Sequence, residues 1–162
     1  MTALHRIAAA LALGVVLLAG PALSQGKLDM VGKFPNGDTE VDVATYTAPN
    51  AQGVEERVGL LGLRVGTQRN SAAFSVGEWR ALLDLWAKAQ NAQSDQWAYV
   101  GDFTETGTSD VSHLKVFAGP GVRFIVESPA KGAFTVVLNR GDMPAFSQAL
   151  AQARAYLGTP GP

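Results

Sequence analysis

Cysteine is missing from this chain altogether, which excludes disulfide staples, thiol nucleophiles, thiolate metal sites and a cysteine-borne lipid anchor. Histidine is nearly as scarce, with only His5 and His113. His5 lies in the first residues, so the body of the chain offers no His–His metal pair and one candidate for a triad. No serine sits in a GxSxG elbow, no HExxH is present, and the acids are dispersed rather than grouped as ligands. No cofactor or metal is therefore expected. Positive charge is not in excess either, since 13 Lys and Arg residues face 14 Asp and Glu. Nucleic-acid binders draw most of their affinity from basic contacts to phosphate, so nucleic acid is not an expected partner.

What is present begins with a leader. His5 and Arg6 give a positive start, Ile7 to Leu18 is unbroken apolar, and Gly20-Pro21 breaks the helix. Ala22-Leu23-Ser24 then supplies small residues at a cleavage site, leaving Gln25 as the expected new N-terminus. A membrane span needs about 20 apolar residues, and this run is shorter. The sequence thus predicts a signal peptide over 1–24, a periplasmic or secreted protein, and no membrane span after processing. Loss of Arg6 leaves twelve basic residues against fourteen acids, so no basic footprint appears. The remaining 25–162 are long enough to bury a core and are expected to form a single domain.

That domain is organised around Ala72 to Gln90, AAFSVGEWRALLDLWAKAQ, read as a strand running into an amphipathic helix. Ser75 and Glu78 have capping-box spacing, while Trp79, Leu82, Leu83 and Trp86 form one apolar stripe. Arg80, Asp84 and Lys88 mark the solvated side. Sixty-four residues later the design returns, with Leu138 to Met143 over Phe74 to Trp79 and Phe146 and Leu150 in place of Leu82 and Trp86. Pro144 suits a first helical turn, so Asp142 is the expected cap.

Upstream of the first helix, 28–31 reads as an edge strand or lead-in, and 39–47 alternates as a half-buried strand. Arg57 to Val65 is apolar on both faces and expected to be central, bent at Gly59 and Gly62. In the second half Trp97 to Phe103 reads as a strand with Trp97, Tyr99 and Phe103 on one face. Leu114 and Val116 alternate with His113, Lys115 and Phe117, and Val122, Phe124 and Val126 with Arg123, Ile125 and Glu127. The fold class that results is α+β. It consists of two pseudo-repeated units, about 28–91 and 92–157, each of about four antiparallel strands followed by a helix, with the helices packed together.

This order of elements resembles the tandem architecture of the Whirly family. A single unit resembles the positive-cofactor-four transcriptional coactivators, where the strand–turn–helix segment also carries a Trp on the first helical turn, as Glu78-Trp79 does here. The resemblance implies curved sheets that bind single-stranded DNA through basic and aromatic residues. This chain lacks the lysine-rich strand motif, so the fold is carried over and the function is not.

Each candidate site has a plainer reading beside it. Trp79 and Trp86 belong to the apolar stripe and are read as core. Trp97 and Tyr99 open a strand beside a polar connector, where exposed aromatics favour contact with a partner. His113, Lys115, Phe117, Arg123 and Glu127 are expected on the outward face of the second sheet. Such faces are usually only solvated, yet with Trp97 and Tyr99 these residues make the best candidate binding patch. The sequence therefore points to a non-enzymatic binding module for an unknown protein or small ligand. Single-stranded nucleic-acid binding is second, and a small hydrolase or isomerase using His113 with Asp102 or Asp110 is third.

Overall fold

The computed structural model describes residues 26–50, 52–105 and 111–158. Four strands come first: β1 Lys27–Asn36, β2 Thr39–Pro49, β3 Glu55–Val65 and β4 Gln68–Ser75. Helix α1, Trp79–Asn91, follows them. The second set is β5 Ala98–Thr104, β6 His113–Ala118, β7 Gly121–Ser128 and β8 Gly132–Asn139, then a 3₁₀ turn, Arg140–Asp142, and helix α2, Met143–Gly158. Each set forms one four-stranded antiparallel sheet in chain order, so the molecule is an α+β protein of two similar units. The tight β1–β2 and β3–β4 turns place Gly37 and Gly66 at φ of 63° and 58°, which is why glycine stands there.

One core joins both units. Val41, Val43, Leu61, Leu63, Ala72 and Phe74 from the first sheet meet Leu114, Val116, Val122, Phe124, Val126, Val136 and Leu138 from the second. Both helices contribute to it, α1 through Trp79, Leu82, Leu85, Trp86 and Ala89 and α2 through Met143, Phe146, Ala149, Leu150, Ala153 and Leu157. The apolar stripe of α1 is therefore wider than the sequence pattern suggested. Leu85 is buried, whereas Leu83 is only partly covered. The capping-box bonds do form, with Ser75 N–H donating to Glu78 Oε2 (2.9 Å) and Glu78 N–H to Ser75 Oγ (3.4 Å). They close the turn that precedes Trp79 rather than the first turn of the helix itself.

Trp79 lies against Gly59, in the space where a Cβ would stand, and its indole N–H donates to the Leu150 carbonyl (3.3 Å). Gly62 likewise leaves room for Asp42 and Arg69, whose carboxylate and guanidinium pair in two contacts of 2.5 and 3.0 Å. The two β3 glycines, expected as bends, thus mark close approaches. The pair also explains why β2 is covered on both faces and not half-buried as its alternation predicts: Asp42 is only 2% exposed beside fully buried Val41 and Val43. Trp86 N–H donates to Ser147 Oγ (2.8 Å), and its ring lies 4.7 Å from that of Phe146.

Polar bonds tie the two units along their rims. Asn70, 3% exposed, donates to the Val126 and Gly132 carbonyls and to Ser128 Oγ at 3.3 to 3.4 Å. Ser112 Oγ donates to the Ser71 carbonyl, and Asn36 Nδ2 to that of Val137.

The first strand of each sheet carries the same irregularity. In β1 the register shifts between Met30 and Gly32, in β5 between Tyr99 and Gly101. In both cases a Val-Gly pair spans the shift, and Val31 and Val100 pack against the core. An extra residue in one strand reverses the in–out alternation beyond it. For β5 this corrects the sequence expectation. Tyr99 faces outward, but Phe103 turns in and stacks 4.5 Å from Phe74.

Candidate functional site

The inner face of the second sheet is committed to the core, which leaves its outward face for other work. Cross-strand register arranges that face in rows. Tyr99 stands opposite Phe117, Phe117 opposite Arg123, and Arg123 opposite Val137. The next row is Asp102, Lys115, Ile125 and Thr135, and the last is Thr104, His113, Glu127 and Ala133. Trp97 precedes β5 and joins the aromatic end, with the Arg123 guanidinium 4.1 Å from its ring centroid. All seven residues singled out from sequence therefore lie together: Trp97, Tyr99, His113, Lys115, Phe117, Arg123 and Glu127.

The aromatic end is fixed by its neighbours. Gly119 lets the Trp97 ring settle close, since a Cβ there would stand 2.8 Å from the indole. Tyr99 meets Phe117 edge-on at 5.4 Å and remains 55% exposed. Its hydroxyl donates to Asp102, and that bond, followed by lost hydration and then the nearby negative charge, raises its pKa above the ordinary tyrosine value. Lys115 Nζ reaches both carboxylate oxygens of Glu127, at 3.1 and 3.0 Å. His113 Nδ1 and Thr104 Oγ1 share a 3.0 Å hydrogen bond.

The hydrolase arrangement gains little from these positions. Asp102 stands opposite Lys115 and not opposite His113, and Asp110 lies outside the described residues. Among the described residues no group of three His, Asp or Glu side chains is placed to hold a metal ion. Among them, too, no helix is long and apolar enough to cross a membrane.

Sequence reasoning missed the contribution of Thr104, Thr135 and Val137 to the face, and took Asp102 only as a possible partner of His113. The signal for β5 was available in Gly101, where a Cβ would lie 2.7 Å from Leu85. A glycine inside a strand flags a bulge or a close approach, and here it is both. For Thr135 and Val137 the alternation of β8 is a legible signal, since they lie between the buried Phe134, Val136 and Leu138. No known protein family, characterised protein or solved structure matches this chain.

Proposed function

We propose that the outward face of β5–β8 is the working surface of an exported, non-enzymatic binding module. The observation that carries this reading is the aromatic end of the face. Tyr99 is held in place by Phe117 and Asp102 yet keeps more than half its surface open. Large aromatics held rigid and left open are favoured anchors for partners. The leader features of 1–24 support export to the periplasm or beyond. The helices, starting at Trp79 and Met143, keep the sixty-four-residue offset, and the matched Val-Gly bulges at Val31 and Val100 recur at an offset of sixty-nine. Both support an internal duplication, and the bonds from Trp79 to Leu150 and from Trp86 to Ser147 support packing of α1 on α2.

The test compares the protein beginning at Gln25 with its Tyr99→Ala/Arg123→Ala variant as baits in a periplasmic extract. Components held by the first and lost by the second, at unchanged thermal midpoints, are the expected result. Identical retention by both would remove this face from the reading.

A second reading, single-stranded nucleic-acid binding of the Whirly type, draws on aromatics lying beside Arg123 and Lys115 on a sheet face. Stacking contributes about 1–3 kcal/mol per base. Asp102 and Glu127 stand among the same residues, and the chain as a whole is acidic. The expected outcome is no complex with a single-stranded thirty-mer at micromolar protein and roughly 150 mM salt, read by fluorescence anisotropy. A saturable sub-micromolar isotherm would move this reading to first place.

A further inference from the structure

Resting on that binding face, we infer that its ligand is a neutral glycan, stacked on Tyr99 beside the Trp97–Arg123 pair and hydrogen-bonded by the polar rows beyond them. The charges come first. Glu127 neutralises Lys115 through both carboxylate oxygens, Asp102 stands across from Lys115 and accepts the Tyr99 hydroxyl, and Arg123 lies on the Trp97 ring. Two acids and two bases thus alternate within one patch. A polyanion would meet Asp102 and Glu127, and a polycation would meet Lys115 and Arg123. Neither gains from the field of this face, and charge alternation of this kind discriminates against ionic partners.

What the face offers instead is hydrogen bonding of both senses around a hydrophobic step. Lys115 and Arg123 donate, Asp102 and Glu127 accept, and Thr104, Thr135 and His113 do either. Exposed ion pairs such as Lys115–Glu127 contribute little to stability, so they can open toward ligand hydroxyls at small cost. The aromatic rings need no such rearrangement. Trp97 is already seated against Gly119 and Arg123, and Tyr99 against Phe117 and Asp102, so little side-chain freedom is lost when a ligand lands.

Pyranose rings fit this combination, with C–H faces for the aromatics and hydroxyl edges for the polar groups. Rows two residues apart along a strand are separated by about 7 Å, so the three rows give a track of about 14 Å. That accommodates a short run of sugar rings. A peptide strand laid across the face fits less well, because the backbone groups of β6 and β7 are taken up in the sheet and only side chains face outward.

The experiment titrates the protein beginning at Gln25 with hexamers of β-1,4-glucose, α-1,4-glucose and β-1,4-N-acetylglucosamine, following tryptophan emission and heat. Saturable binding of at least one hexamer is expected, weakened about tenfold or more by Tyr99→Ala. It should change less than about twofold between 50 and 500 mM salt, because no ionic attraction is involved. Amide-shift mapping on the unsubstituted protein should place the contact on β5–β7, which keeps the test intact if the variant folds poorly. Absence of binding by all three hexamers at millimolar concentration overturns the inference. So does a steep fall with salt, or a contact mapped elsewhere. If the extract experiment finds a protein or nucleic acid lost from the Tyr99→Ala/Arg123→Ala bait while the hexamers fail, the binding face stands and the glycan falls.

Discussion

Tyr99, like Lys27, has its titration displaced from the ordinary value. Its folded pKa is raised, chiefly by the hydrogen bond to Asp102. For a group raised in this direction, the linked stability is complete below the unfolded value of about 10 and is lost as pH climbs through the folded one. Replacing Asp102 by Asn removes the charge and weakens the bond, so Tyr99 should ionise at lower pH. Near-ultraviolet absorbance titration of the two proteins checks this, and coincident curves would show that the contact has no hold on the phenol. Gly59 gives a residue-scale prediction of another kind. Because the Trp79 ring occupies the place of a Cβ, Gly59→Ala overpacks the core and should cost about 1–3 kcal/mol in urea unfolding. A loss under about 0.5 kcal/mol would mean that the ring moves aside freely.

At the scale of the element, α1 presents one buried and one solvated side. Trp86→Ala removes a buried ring together with its bond to Ser147, and should destabilise by roughly 3–5 kcal/mol. Lys88→Ala on the exposed side should stay within about 0.5 kcal/mol. Equal denaturation midpoints would reverse the assigned orientation. Most of this was legible, because helical spacing survives wherever the helix is regular. Leu85 was missed because the stripe was drawn from the closest i, i+3 and i+4 matches, whereas the core reaches around the helix to β5, where Leu85 meets Gly101. Phe103 failed for a related reason. Period-two reasoning assumes an unbroken ladder, and the Val100-Gly101 bulge reverses the phase between Tyr99 and Phe103. On β6 and β7 the ladder is unbroken, so His113, Lys115, Phe117, Arg123 and Glu127 could be assigned to one face from alternation alone. Asp102 joined them only through a register that pairs it with Lys115, which local sequence does not carry.

Across the whole molecule, the expectation of cleavage before Gln25 is checked by intact mass of the exported protein, and a product that keeps 1–24 would refute it. Whether the sheets would share a core was not readable from local patterns. The contacts that decide it, such as Asn70 with Val126, Ser128 and Gly132, join residues more than fifty positions apart. The common core has a consequence for the covalent connection between the halves. Each sheet's apolar inner face is covered by residues of the other half, so a severed half would expose it to water and should be insoluble alone. Residues 92–96 would then act as a tether, raising the effective concentration of one half for the other without contributing to the core. Two fragments divided there, 26–93 and 94–158, should complement each other when co-expressed and elute as one particle. Soluble, separately folded fragments would show instead that each half can stand alone.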